Sequence, residues 1–186
     1  MWRWIAKRLL ALGGWTPVGE VIPVKKAVII AAPHTSNWDG IWALVYKVSI
    51  GVEISFFAKE SLFWFPLGTL LRGLGGIPLH RNQPGTAVHQ AADAFAENEQ
   101  FYFALAPEGT RSLRKHWKSG FYRIAQAADV PIVLGFLDFG RKRLGFTDIM
   151  YVTGDVEADL DKIRRFYADI EGRWPEKASP IVFPTK

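Results

Sequence analysis

Two short apolar runs, each halted by a proline, constrain this chain most. Lys26–Ala32 (KAVIIAA) stops at Pro33, and Phe101–Ala106 (FYFALA) stops at Pro107. Neither run alternates apolar with polar residues, so both faces of each need burial, the habit of strands in a parallel sheet covered by helices on both sides. Further strands are expected at Val52–Ala58 and Val130–Leu137, at Ile77–Leu79 after a Gly73–Gly76 turn, and near Phe146–Val152. Between them, helical patterns predict Trp38–Ser49, Ser61–Leu71, Thr86–Asn98, Ser119–Ala128 and a charged Leu160–Ile170. Strands alternating with helices predict an α/β fold with a mostly parallel central sheet flanked by helices. The chain has 186 residues and shows no repeat or low-complexity linker, which predicts a single domain.

Ahead of this pattern stands MWRWIAKRLLALGGW. As a helix it places Trp2, Ile5, Leu9 and Leu12 on one face, with Arg3 and Lys7 on another, and Gly13-Gly14 ends it. Lys7 and Arg8 interrupt the apolar run, which speaks against a signal peptide. The segment reads either as an interfacial anchor or as a surface helix docked on the core. Eight Trp, thirteen Phe and a net charge of +5 favour the anchor. The expected division is therefore an amphipathic interfacial helix over residues 1–15 and an α/β domain over 16–186. No apolar stretch approaches the roughly 20 residues needed to span a bilayer.

Composition narrows the chemistry. Cysteine is absent, which removes disulfides, thiolate metal sites and thiol nucleophiles, and fits a reducing compartment. His34, His80, His89 and His116 show no metal-ligand spacing, so no metal is expected. The basic charge suits anionic partners, but no nucleic-acid recognition signature accompanies it.

In a parallel sheet, ligands gather beyond the carboxyl ends of the strands. Three distinctive segments fall there: His34–Asp39, Lys59 and Glu108–Arg111. In P-H-T-S-N-W-D, Ser36 and Asn37 are helix-capping types. Asp39 then falls in the first helical turn, where it can curl back to one imidazole nitrogen of His34 and leave the other free to take a proton. No G-x-S-x-G elbow exists to use this histidine, so it would act on a substrate hydroxyl; otherwise it only caps or packs. The stretch P-E-G-T-R-S (Pro107–Ser112), followed by Arg114, Lys115 and Lys118, reads as an anion site or as a solvated basic loop. G-G-I-P-L-H-R (Gly75–Arg81) reads as a turn and edge strand carrying a cation. The apolar segment with Phe63 and Trp64 can floor an acyl groove, dip into lipid, or pack as plain core.

Taken in order, these segments resemble the glycerolipid acyltransferase family, whose namesake activity is 1-acylglycerol-3-phosphate O-acyltransferase. His34–Asp39 is similar to its H-x-x-x-x-D motif. Phe56–Arg81 is similar to its second block, with Lys59, Pro66, Gly68, Gly75 and Arg81 in place. Pro107–Ser112 carries its P-E-G-T-R-S letter for letter, and Lys118–Gly120 and Val130–Val133 follow in register. The resemblance spans about Val28 to Leu134. It implies transfer of an acyl group from a thioester to a hydroxyl, with His34 as general base and Asp39 orienting it. Lys59, Arg81, Glu108, Gly109, Thr110 and Arg111 would form the acceptor's phosphate site, and Lys118, Phe63 and Trp64 would serve the acyl donor. The donor expected is acyl-CoA or acyl carrier protein, as a substrate and not a resident cofactor. The acceptor expected is a lysophospholipid, 1-acyl-sn-glycerol-3-phosphate foremost, met at the cytoplasmic face of a membrane by a peripheral enzyme. The alternatives are a different lipid acceptor, or a lipid-binding protein on the same fold without catalysis; a pure binder has no need of His34 and Asp39.

Overall fold

The two proline-stopped runs become neighbouring parallel strands at the centre of one sheet. A computed structural model describes residues 1–19, 21–79 and 86–184. In chain order the strands are β1 Thr16–Val18, β2 Lys26–Ala32, β3 Ile54–Lys59, β4 Gly76–Leu79, β5 Phe101–Leu105, β6 Ile132–Asp138 and β7 Arg143–Met150. The helices are α1 Trp2–Leu12, α2 Asn37–Ile50, α3 Leu67–Gly73, α4 Thr86–Glu97, α5 Gly120–Ala128 and α6 Val156–Tyr167. The seven strands lie in the order β1-β7-β6-β2-β5-β3-β4. Every neighbouring pair is parallel except β6 and β7, which are antiparallel. This is a single α/β domain.

Each central strand feeds two cores. Val28, Ile30 and Ala32 of β2 and Ile132, Leu134 and Phe136 of β6 face α4, α5 and α6, where they meet Phe95, Phe121, Ile124, Leu160 and Ile163. The alternate residues Ala27, Ile29, Val133 and Leu137 face the opposite layer, with Leu10 of α1, Trp15, and Tyr46 and Ile50 of α2. Burial on both sides explains why the sequence of these strands is uninterruptedly apolar. Helix α1 runs antiparallel to α2. Gly13 abuts the Trp42 ring so closely that a Cβ there would fall 2.4 Å from it, and Arg3 lies against Gly51 at the far end.

The structure departs from expectation at several boundaries. The helix expected over Ser61–Leu71 is broken: a 3-10 turn covers Glu60–Leu62 and α3 starts only after Pro66. Proline lacks an N–H and disfavours helical backbone in the residue before it, so the apolar run could not be continued through it. Helix α6 begins at Val156, earlier than expected, because Asp155 caps it by accepting the Ala158 N–H at 3.1 Å. The third strand lies at Ile54–Lys59 and the last at Arg143–Met150, each displaced by a few residues. Strand β1, three residues long on the sheet edge, had no signal in the sequence. Among the described residues no helix is long and apolar enough to cross a membrane.

Candidate active site

Pro33 ends β2 and turns the chain into α2, and this turn organises the site. Ser36 is the N-cap: its Oγ accepts the Trp38 N–H at 3.2 Å, while Asp39 accepts the Ser36 N–H at 2.8 Å, forming a capping box. Oδ2 of Asp39 also accepts the Thr35 N–H at 2.7 Å and lies 3.1 Å from His34 Nδ1. A carboxylate oxygen can only accept, so Nδ1 carries the proton and Nε2 presents a lone pair. Asp39 is 2% exposed whereas His34 is 23% exposed, so the carboxylate is sealed behind an imidazole that substrate can reach. Nε2 has no partner among the described residues.

Glu108 holds the same turn from the end of the neighbouring strand β5. Its Oε1 accepts the His34 N–H at 2.9 Å, and its Oε2 is buried without a partner among the described residues. The side chain is 2% exposed, and burial pushes its carboxyl above the usual glutamate range, partly offset by the His34 N–H bond. The next residue, Gly109, has φ +64°, and a Cβ there would meet Lys118 at 2.8 Å. The left-handed φ favours glycine at this turn, and the end of the Lys118 side chain folds over it. The loop is closed by Lys118 N–H donating to Pro107 O at 2.9 Å, and by Trp117 N–H donating to Val182 O at 2.9 Å.

A cavity of about 280 Å³ opens beside His34 and Asp39 and runs between α2 and the sheet. Small residues make the room: Gly40 and Ala43 on α2, facing Ala31, Ala104, Ala106 and Gly135 on the sheet. Ala31 and Gly135 are register partners on adjacent strands, so the gap crosses the sheet as a row. A Cβ at Gly135 would lie 2.8 Å from the Ile30 carbonyl oxygen, so no larger residue fits there. Ile29, Ile54, Phe56, Tyr46 and Lys47 also line the cavity.

Of the other described residues singled out from the sequence as site residues, Glu108 holds the His34 backbone and none lines the apolar cavity. Lys59 is exposed at the end of β3 and Arg111 is exposed on the loop after β5; neither lines the apolar cavity. Arg81 lies outside the described residues. Glu108, Gly109, Thr110 and Lys118 line a second, open cavity with Arg114, Lys115 and His116. The buried Glu108 carboxyl is turned toward the His34 backbone, which makes it a wall of that cavity and a tether of the turn. Phe63 sits under the Arg72 guanidinium at 5.2 Å and Trp64 is largely exposed; neither reaches the apolar cavity. Sequence reading missed the small residues and Lys47. The signal was present in part, since KAVIIAA ends on Ala31 and Ala32 and FYFALA carries Ala104 and Ala106.

Comparison with known proteins adds three findings. A family model described as Acyltransferase matches residues 17–133. The fold is similar to the crystal structure of the 1-acyl-sn-glycerophosphate (LPA) acyltransferase PlsC from Thermotoga maritima, with 21% identity and a TM-score of 0.60, covering 93% of this chain and 79% of that one. No curated protein matches the chain.

Proposed function

The chain belongs to the acyltransferase family, and from that premise we propose that it moves a fatty acyl group from a thioester to the hydroxyl of a lysophospholipid, 1-acyl-sn-glycerol-3-phosphate foremost. One observation carries the reading: a histidine fixed in a single tautomer by a buried carboxylate stands at the mouth of an apolar cavity. A base beside a slot for a hydrocarbon tail suits acyl transfer and has no purpose in a simple lipid binder. The similarly folded Thermotoga maritima protein is a 1-acyl-sn-glycerophosphate acyltransferase, which supports the same class of acceptor.

In this mechanism the acceptor hydroxyl oxygen attacks the thioester carbonyl while His34 Nε2 removes its proton. Asp39, hydrogen-bonded at Nδ1, stabilises the imidazolium that forms. As the tetrahedral intermediate collapses, the carbon–sulfur bond breaks and the imidazolium returns the proton to the departing thiolate. Base assistance of this kind is worth about 10²–10⁴ in rate. The acyl tail enters the apolar cavity. The acceptor phosphate is assigned to the cationic loop after β5, where Arg114, Lys115 and Lys118 face the open cavity and Arg111 is exposed nearby. The donor in this reading is acyl-CoA or acyl carrier protein, both anionic and suited to the same basic side.

Attachment to a membrane surface belongs to the same proposal. Trp2, Trp4, Leu9 and Leu12 on α1, and Trp38 and Ile41 on α2, are exposed on two helices packed side by side. Arg8 stacks on Trp4 at 5.1 Å and Arg173 lies over both Trp38 and Trp174. Exposed tryptophans capped by arginines suit the headgroup layer of an anionic leaflet. Purified protein incubated with labelled acyl donors and a panel of lysolipids tests the function. A doubly acylated phospholipid product is expected, and its absence for every donor–acceptor pair would reject the reading.

A further inference from the structure

After α6 an irregular segment, residues 169–174, passes from the end of β6 to the turn that carries His34. Its origin is anchored, because Tyr167 at the end of α6 donates its hydroxyl hydrogen to Gly135 O at 2.6 Å. Arg141, paired with the buried Asp138, donates to Asp169 O at 2.6 Å, and the Phe139 N–H donates to Glu171 O at 2.8 Å. The Trp174 N–H then donates to Thr35 Oγ1 at 3.2 Å, a bond between residues 139 apart in the chain. Between these ties lies the buried Gly172, where a Cβ would fall 2.8 Å from Thr35 Oγ1 and 2.9 Å from its Cγ2. The backbone of Gly172 is outside the left-handed region, so close approach alone selects glycine there. The Arg173 guanidinium adds a contact to the first turn of α2, 5.5 Å from the Trp38 ring.

We infer that residues 169–174 hold the general base in its working position, with Thr35 and Gly172 as the positioning residues. The inference rests on the acyltransferase reading for the role of His34, and on the contacts of Thr35 for the hold. Thr35 stands between His34 and the N-cap Ser36, and it is 2% exposed. Asp39 Oδ2 takes its backbone N–H at 2.7 Å and its own side-chain oxygen takes the Trp174 N–H, so backbone and side chain are both tied. The turn is thus held from three sides: by Asp39 from α2, by Glu108 from the end of β5, and by Trp174 from the side of β6. The third hold matters because Gly40 and Ala43 leave a cavity where larger side chains would press the start of α2 onto the sheet. None of residues 169–174 lines that cavity, so their effect falls on the rate and not on tail binding. A displacement of about 1 Å in a reacting group can cost about 10² in rate. The segment also lies outside residues 17–133, the part of the chain that the family model matches.

The test measures kcat and KM on the full chain with palmitoyl-CoA and 1-acyl-sn-glycerol-3-phosphate. Thr35→Val keeps the branched shape and removes the acceptor; kcat should fall at least about tenfold while both KM values stay within about twofold. Thr35→Ser restores the oxygen and should return kcat to within about threefold of wild type. Gly172→Ala should lower kcat as Thr35→Val does, and it tests the inference if Thr35→Val does not fold. Thr153→Val is the control: it breaks the Thr153 hydroxyl bond to Asp159 at 3.0 Å at the other end of α6, and should lower the melting temperature without lowering kcat. A second readout needs no turnover. Exchange of the His34 Nδ1 proton with water, followed by nuclear magnetic resonance on labelled histidine, should be at least about fivefold faster in Thr35→Val and unchanged in Thr153→Val. Wild-type kcat in Thr35→Val and Gly172→Ala, an equal loss in Thr153→Val, or a Thr35→Ser as slow as Thr35→Val would overturn the inference. If the wild type itself transfers no acyl group, the acyltransferase reading fails and proton exchange alone decides: faster exchange in Thr35→Val upholds the hold on His34, and unchanged exchange removes it.

Discussion

Two carboxylates near His34 divide the work of holding it, and their environments separate their roles. Asp39 Oδ2 takes two backbone N–H groups and the imidazole, so it both builds the turn and fixes the ring. Asp39→Asn should lower kcat by on the order of 10³-fold or more, because an amide N–H facing Nδ1 favours the wrong tautomer; steady-state kinetics checks this. Glu108 touches only the backbone of His34. Burial raises its carboxyl, so its folded-state value exceeds its unfolded one. Stability from such a group is complete below the ordinary glutamate range and is lost as pH rises through the raised value. The melting temperature of the wild type relative to Glu108→Gln should therefore fall as pH rises above the ordinary glutamate range of about 4. A difference that stays flat with pH would contradict the burial argument. Glu108→Ala leaves the His34 N–H unpaired, at a cost of about 1–3 kcal/mol. Of this cluster, the local part was legible in the sequence, since five residues in a strand-to-helix turn can be folded by hand. The Glu108 bond joins residues 74 apart in the chain, so it depended on the sheet order placing β2 beside β5.

At the scale of elements, α2 does three things with three stripes. Its first turn carries Asp39, its sheet-facing side supplies Gly40, Ala43 and Lys47 to the cavity, and its outer side exposes Trp38 and Ile41. Ser36→Ala should cost about 1 kcal/mol through loss of the cap, and should also lower kcat, since the same turn positions His34; thermal melts and kinetics on one variant read both. Helix α1 is docked and outward-facing at once. Ala6 and Leu10 are buried, whereas Trp2 is 75% exposed and Leu12 85%. The sequence placed Trp2, Ile5, Leu9 and Leu12 on one face correctly, but a periodic pattern does not say which stripe a neighbouring helix will cover. Trp2→Asp combined with Leu9→Asp should abolish co-sedimentation with anionic vesicles while leaving the melting temperature within a few degrees of wild type. Undiminished vesicle binding would remove α1 from the membrane proposal.

The whole molecule is a sheet with unequal layers: α4, α5 and α6 seal one face, whereas α2 covers the other through small residues that leave space. The alternation of apolar runs and helices was enough to predict that sheet. Its strand order and its one antiparallel pair were not legible, because nothing local in β6 or β7 states which neighbour each will choose. The N-terminal segment also belongs to the whole: Leu10 and Trp15 sit in the α2-side core. Deleting residues 1–15 should therefore destabilise the domain by several kcal/mol, about 2–5 for each large buried side chain lost, measured by chemical denaturation. The central claim remains that His34 moves the proton in acyl transfer from the mouth of an apolar cavity. The most direct measurement compares wild type and His34→Ala for transfer from a fatty acyl-CoA to 1-acyl-sn-glycerol-3-phosphate, alongside binding of both substrates. The account predicts that His34→Ala binds both substrates about as wild type does and loses transfer by at least about 10²-fold. Transfer at the wild-type rate by His34→Ala would contradict it.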